Sequence, residues 1–399
     1  MQFLPLTADN NTERESKSVM AVSIIGAGES PYTRHPQAGT TTSRTIADAI
    51  GRALKDAGLT PGDVDGFAVS SFTLDPDHAI DLAWKMGFEL SWLMQDTNGG
   101  ASAGNMLQHA VHAITAGDAS VIVVAAGDLM DNAAFAKLVA KYNSATENHL
   151  TPLPLAGPNA LFAMLTSRQM EKYGLVREDY GRIAVAQRQW AAGNPGAVYR
   201  TPLTLDNYLG APMVADPLGR FDCVPPVTGA DAVVVVADER ADGKRKAKIL
   251  SVTASYNADN QVGDGLQTGL RKCAPLAWER AGVSPEDIDV ISVYDDYPAM
   301  VVAQLMDIGV LADGADIAEF IDTQIHSRAL AINTSGGQLS AGQAGSAGGM
   351  HGLVEAVQQL RGQAGDRQVQ AKTAAVSGYG MVLYRHGSCA NLTVLEAAQ

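Results

Sequence analysis

Two nine-residue segments 224 positions apart carry one pattern, Ala57-Gly-Leu-Thr-Pro-Gly-Asp-Val-Asp65 and Ala281-Gly-Val-Ser-Pro-Glu-Asp-Ile-Asp289. In each, a glycine closes a helical stretch and a proline three residues later prevents its continuation. Apolar strand-like runs follow, Gly66 to Phe72 and Val290 to Tyr294. A helix-turn-strand unit repeated over so long a distance is not a solenoid, whose period is roughly 20–50 residues. It implies two related halves. Strands alternate with helices in both, which calls for layered α/β architecture with a largely parallel sheet in each half.

A second duplicated feature sits inside these halves. The stretch Ile332 to Gly362, INTSGGQLSAGQAGSAGGMHGLVEAVQQLRG, is a glycine-dense turn running into an amphipathic helix. Asp96 to Gly127 is built the same way, with DTNGGASAG ahead of a helix that aligns Met106, Leu107, Ala110, Val111 and Ile114. Bare backbone lets main-chain N–H groups approach a ligand, and the helix N-terminus behind offers partial positive charge. The plainer function of such a segment is a tight strand-to-helix corner.

Along the chain, residues 1–19 read as a disordered polar tail, 20–240 as the first half and 241–399 as the second, divided at the polar turn Asp238 to Lys246. Gly26-Ala-Gly28 lets the first strand leave its sheet sharply; it lacks the third glycine of a dinucleotide fingerprint. Asp128 to Asn159, with His149 among prolines, is an excursion of a length typical of lids and subunit contacts. The net charge of −14 argues against a nucleic-acid surface. No apolar run reaches the roughly 18 residues of a membrane helix. Cys223, Cys273 and Cys389 have neither zinc-site nor disulfide-framework spacing, so a reducing cytoplasm is expected and no metal site. His109 and His112 share a helix without a carboxylate motif. Cys389 beside His386 could form a nucleophile pair, but it opens an apolar terminal strand and reads as a buried small hydrophobe.

From Met20 onward the chain resembles the thiolase superfamily, specifically its sterol-carrier-protein-type and lipid-transfer-type aldolase branch. Lys172-Tyr-Gly174, Cys223 with Thr228-Gly-Ala-Asp231, and Leu360-Arg-Gly362 carry the likeness most specifically. The resemblance implies a five-layered αβαβα fold, a homodimer and coenzyme A thioesters as substrates, with coenzyme A part of the substrate and no separate cofactor. The departures are as telling. Where the family has its nucleophilic cysteine, in an Asn-x-Cys-Ala-Ser-Gly turn, this chain reads Asn98-Gly-Gly-Ala-Ser-Ala103 and Gly100 takes the position. The Gly-His-Pro base motif falls on Gly342-Gln-Ala344, a second cysteine position falls on Val376, and the histidine of the His-Asp-Cys-Phe strand end becomes Tyr294.

Such replacement is similar to thiolase-like aldolases that cleave β-hydroxyacyl-CoA side chains together with a small OB-fold partner. A retro-aldol cleavage needs no nucleophile, only a base for the β-hydroxyl proton and donors for the enolate oxygen. Tyr294 is the candidate acid/base, provided a neighbour lowers its pKa from about 10. Gln343 is a candidate donor, and His351 a second base on its chemistry alone. Asn98, Gly100, Gly342, Gly380, Tyr297 and His149 complete the candidate oxyanion and substrate-binding set. The competing expectations are an acyltransferase subunit of a multi-protein complex, which would need a cysteine, and a non-catalytic acyl-binding scaffold.

Overall fold

The computed structural model describes residues 21–153, 157–241, 243–258, 262–383 and 387–398. The expected tail and His386 lie outside them. In the first half, strands β1 (Val22–Glu29), β2 (Gly66–Ser70), β3 (Trp92–Asp96) and β4 (Val121–Asp128) alternate with helices α1 (Thr42–Ala57), α2 (Ala79–Met86) and α3 (Ser102–Ala116). Helices α4 (Asn132–Ala140), α5 (Pro158–Tyr173), α6 (Arg177–Ala192) and α7 (Leu205–Leu209) follow, then the hairpin β5 (Met213–Ala215) and β6 (Leu218–Gly219), and strand β7 (Gly229–Ala237). The second half runs β8 (Lys246–Tyr256), α8 (Leu270–Ala281), β9 (Val290–Ser292), α9 (Pro298–Asp307), α10 (Ile317–Phe320) and β10 (Ala331–Ile332). It ends with α11 (Gly337–Ala341), α12 (Gly348–Leu360), β11 (Thr373–Val382) and β12 (Gly387–Ala398).

The strand order β10-β9-β11-β12-β8-β1-β7-β4-β2-β3 is two five-stranded sheets of matching order. They meet edge to edge where Ser23 and Ile24 pair antiparallel with Lys248 and Ala247. Helices α3 and α12 pack against each other and against both sheets, and α1 and α8 cover the outer faces. The result is the five-layered αβαβα arrangement.

The sheets are mixed rather than largely parallel. The strands β2, β3 and β4 run parallel, as do β9, β10 and β11, but β7, β1, β12 and β8 are antiparallel to their neighbours. The reason is where the chain returns. After β4 ends at Asp128 the excursion comes back to the same end of the sheet, so Gly229 opens β7 directly opposite Asp128. The strands β11 and β12 form a direct hairpin. Only a crossover to the far end would have made these pairs parallel.

The repeated turns match in detail. Gly58 and Gly282 are both left-handed, at φ 67° and 68°, and close α1 and α8. Asp63 Oδ2 accepts from the Thr60 N–H and hydroxyl at 2.8 and 2.7 Å; Asp287 Oδ2 accepts from Ser284 at 2.8 and 2.9 Å. Asp65 then accepts from the backbone of Ser120 and Val121 at the start of β4, and Asp289 from Lys372 and Thr373 at the start of β11. Each aspartate thus sets the register of a neighbouring strand.

The glycines of β1 have a different use from the one expected. The strand continues through both, and a Cβ on Gly26 or Gly28 would come within 2.4 Å of the α1 backbone at Ala53. They let α1 lie close on the sheet. The excursion also holds more order than anticipated, with α4 and a π-helical turn at Thr146–Leu150. Buried residues of α5 and α6, including Phe162, Tyr180 and Ile183, share one apolar core with α9 and β9 of the second half. The helices that follow the excursion therefore roof the sheet ends where the two corners meet.

Candidate active site

The corners converge through α12. A Cβ on Gly349 would come within 2.0 Å of the Gly100 carbonyl oxygen, and one on Gly380 within 2.2 Å of the Asn98 carbonyl oxygen. Asp128 ties the same region together: Oδ1 accepts from Ser71, Phe72 and Thr73 at 2.7–2.8 Å, and Oδ2 from the Ser346 N–H at 2.7 Å.

Over this junction lies a cavity of about 430 Å³. Its apolar wall comes mostly from the excursion, with Phe135, Leu138, Val139 and Leu150, and from α5, with Leu161 and Phe162. Its polar end comes from the second half, where Tyr294, Asp296, Tyr297, Gln343 and Tyr379 face Gly100 and Gly380. Arg34 and Arg220 are the cationic side chains among the described lining residues.

Tyr294 occupies the space that Gly100 leaves open. A Cβ at position 100 would sit 2.2 Å from the Tyr294 ring and 2.4 Å from the Tyr379 carbonyl oxygen, inside any tolerable contact. Gly100 and Tyr294 are one exchange of volume, small for large at one point and large for small at the other. Gln343 Nε2 donates to the Tyr294 hydroxyl at 3.0 Å, which leaves the phenolic proton available to a second acceptor.

The expected condition on Tyr294 fails. Burial, followed by the charge of Asp296, pushes its phenol well above the ordinary value instead of lowering it. A neutral phenol donates a hydrogen bond well and accepts a proton poorly. Burial moves Tyr379 and Tyr297 in the same direction. Tyr297 stacks on Phe162 with ring centroids 4.3 Å apart and donates to Asn159 Oδ1 at 2.7 Å.

Four other candidates lie elsewhere. Asn98 turns its side-chain amide to Asp96 Oδ2 at 3.0 Å, so those donors face away from the cavity lining. Gly342 is a buried turn at φ 120°, packed against Val227. His149 is exposed on the π-helical turn. His351 is buried in a separate cluster, with Nδ1 3.0 Å from Glu29 Oε2 and Nε2 2.8 Å from Ser335 Oγ. Nearby, Tyr32 donates to Asp231 Oδ2 at 2.6 Å. Glu29, Asp231 and His351 offer ligand-type atoms within 4.8 Å of one another, a grouping that the sequence spacing did not reveal. Burial pulls the His351 imidazole down, but Glu29, Asp231 and Glu355 outweigh it and lift the value to about 9.

The residue the sequence reading passed over is Asp296. It is buried in the cavity wall, and its Oδ1 has no hydrogen-bond partner. Burial, then the charge of Asp295, holds its carboxyl well above the usual range, while backbone N–H groups of Asp296 and Tyr297 pull the other way. Asp295 beside it is satisfied by the α11 N-terminus, accepting from Gln338 N–H at 2.9 Å and Leu339 N–H at 3.2 Å. The doubled acid in Tyr294-Asp-Asp-Tyr297 was the available signal.

Comparisons with known proteins identify the family. Residues 252–390 match the family model of the thiolase C-terminal domain-like group. The chain is 32% identical to the 17-hydroxy-3-oxo-4-pregnene-20-carboxyl-CoA lyase of Mycobacterium tuberculosis, over 85% of this chain and 91% of the relative. The chain belongs to the thiolase superfamily. Within it, a second relative at 32% identity is the steroid side-chain-cleaving aldolase of Thermomonospora curvata, matched over 86% of this chain and 90% of that one. The solved structure of the Ltp2-ChsH2(DUF35) aldolase superposes with a TM-score of 0.83 at 28% identity, covering 95% of this chain and 99% of the other. This thiolase-superfamily chain therefore sits in the lipid-transfer-type aldolase branch, with the nucleophile position empty of sulfur and filled by an aromatic ring.

Proposed function

We propose that the chain is a carbon–carbon lyase that cleaves, and in reverse forms, the Cα–Cβ bond of a β-hydroxyacyl-CoA thioester with no covalent acyl-enzyme. The observation that carries this reading is the Gly100–Tyr294 exchange. It removes the nucleophile and puts a hydrogen-bond donor, backed by Gln343, at the same point of the cleft. An aldol cleavage uses such a donor, because negative charge develops on the thioester oxygen as the bond breaks.

The remaining thiols offer no substitute. Cys223, Cys273 and Cys389 have pKa values pushed up by burial, to about 12, 11 and 11, so little thiolate forms near neutral pH.

The apolar wall and the 430 Å³ volume suit a bulky apolar acyl group, consistent with relatives named for steroid substrates. In a chain of net charge −14, Arg34 and Arg220 are the cationic groups placed to meet the anionic end of coenzyme A. No helix of the described residues is long and apolar enough to cross a membrane, which supports a cytoplasmic reading together with the free cysteines. Ile80, Trp84 and Leu93 are exposed on α2 and on β3, which ends the strand order, and that face supports a homodimer. The two-component name of the structural relative, Ltp2-ChsH2(DUF35) aldolase, supports a heteromeric complex with a small OB-fold protein.

The test is incubation of the purified chain with a β-hydroxyacyl-CoA bearing a bulky apolar substituent, with and without a co-expressed partner. Release of a shorter acyl-CoA plus a ketone or aldehyde is expected. No cleavage under either condition overturns the reading, and an acyl adduct on a cysteine by intact mass would favour an acyltransferase instead.

A further inference from the structure

Cleavage requires a base at the β-hydroxyl, and the cavity restricts the choice. Among the described lining residues the titratable side chains are two arginines, one cysteine, five tyrosines and one aspartate. Arginine has no acceptor and stays charged. Cys223 is pushed up to about 12 by burial and by Asp222. Phenols ordinarily titrate near 10, and burial raises Tyr142, Tyr294, Tyr297 and Tyr379 further. Neither histidine nor glutamate lines the cavity among the described residues, which leaves Asp296.

Its setting differs from that of the structural carboxylates around it. Asp128 and Asp295 each have both oxygens occupied by hydrogen-bond donors. Asp296 is 8% exposed, with one oxygen unpaired, among the hydroxyl groups of the cavity's polar end. A buried acceptor without a donor is disfavoured, and the Asp296 side chain belongs to the wall that a substrate hydroxyl would meet. The carboxylate also precedes α9 by two residues, and the partial positive charge of that helix N-terminus favours its ionised form.

Resting on the retro-aldol reading, we infer that Asp296 is the general base that takes the substrate's β-hydroxyl proton, and that Tyr294 is a protonated donor to the thioester oxygen. In the forward step the O–H bond breaks and its proton passes to the Asp296 carboxylate. The freed electron pair forms the carbonyl of the departing ketone or aldehyde. The Cα–Cβ bond breaks, and its electrons move into the thioester as an enolate held by the Tyr294 hydroxyl. Asp296, now protonated, or water in contact with it, returns a proton to Cα. No electron is gained or lost overall and no co-reactant is needed.

The experiment compares wild type with Asp296→Asn, Asp296→Ala and Tyr294→Phe, each assayed with the partner, with thermal unfolding as the folding control. Asp296→Asn should lose at least ~10²-fold in kcat with KM changed only a few-fold. Wild-type kcat/KM should rise with pH along a carboxylate limb displaced upward from the ordinary range; that limb should vanish in Asp296→Asn and persist in Tyr294→Phe. Retention of wild-type kcat within ~3-fold, or of the limb, in a folded Asp296→Asn overturns the inference and leaves the lyase reading standing. A binding measurement separates the two claims. Wild type should bind a β-hydroxyacyl-CoA more tightly than the same acyl-CoA lacking the hydroxyl, and Asp296→Ala should erase that preference. A preference that survives in Asp296→Ala refutes the placement of Asp296 even without turnover. Erasure without any cleavage supports the placement and sinks the lyase reading.

Discussion

Two buried clusters of ionisable groups in this molecule look alike on paper and differ in what they can do. Around His351, Glu29 sits against the imidazole at 3.0 Å, Ser335 meets its other nitrogen at 2.8 Å, and Tyr32 covers Asp231 at 2.6 Å. Glu29 and His351 answer one another there, while Asp231 keeps one oxygen unpaired. Around Tyr294 the neighbours are phenols, an amide and a carboxylate, with no ion pair to that carboxylate among the described residues although Arg34 and Arg220 line the same cavity of about 430 Å³. Neither the density of titratable residues nor an orphan oxygen distinguishes the clusters, since Asp231 Oδ1 is unpaired as well; the apolar-walled cavity beside Tyr294 does. The first ties α12 to β1 through His351 and Glu29, and the second borders the cavity.

The comparison breaks most sharply on activity. Tyr294→Phe should cost at least ~10²-fold in kcat while unfolding at nearly the wild-type temperature. His351→Gln, assayed well below its own unfolding temperature, should keep activity within a few-fold. A steady-state assay that finds the reverse order would remove the reason for placing the site at Tyr294.

Stability against pH should sharpen the contrast from the other side. His351 titrates at about 9 in the folded protein against an ordinary value of 6.5, so its pairing stabilises fully below pH 6.5 and is lost as pH rises through 9. The difference is of the order of 3 kcal/mol. Denaturation midpoints measured from pH 6 to 10 should therefore fall for wild type, and His351→Gln should flatten that portion of the curve.

A smaller structural effect is expected at Gly100. Gly100→Ala drives a methyl group into the Tyr294 ring, which should destabilise by about 1–3 kcal/mol and displace the ring enough to lower activity. Calorimetry together with the cleavage assay checks both. Cys389→Ser and His149→Ala should matter least, each within ~2-fold of wild type. Cys389 is a buried thiol 3.5 Å from Asn98 Oδ1, and His149 is exposed outside the described cavity lining.

Much of the fold was legible in order along the chain because it rests on local chemistry. The duplicated Gly-x-(Thr/Ser)-Pro turns, the two glycine corners and the alternation of helix and strand each follow from backbone preferences within a few residues. Strand direction was not, since it depends on which end of the sheet a returning excursion reaches, a matter of a pairing between Asp128 and Gly229, 101 residues apart. The role of Gly26 and Gly28 was also hidden, because the α1 backbone they admit cannot be seen from the strand itself.

By itself the sequence determined that two related halves exist, that the cysteine position is Gly100 and that Gln343, Val376 and Tyr294 stand at the other altered positions. Those are identities, and identities are written in the chain. The tertiary structure decided that the Tyr294 ring fills the space at Gly100, that His351 belongs to Glu29, and that of two adjacent aspartates Asp295 caps a helix while Asp296 keeps an unpaired oxygen. Consecutive residues at a strand end face different surroundings, and whether a buried polar atom is satisfied is a count of partners brought together from distant parts of the chain.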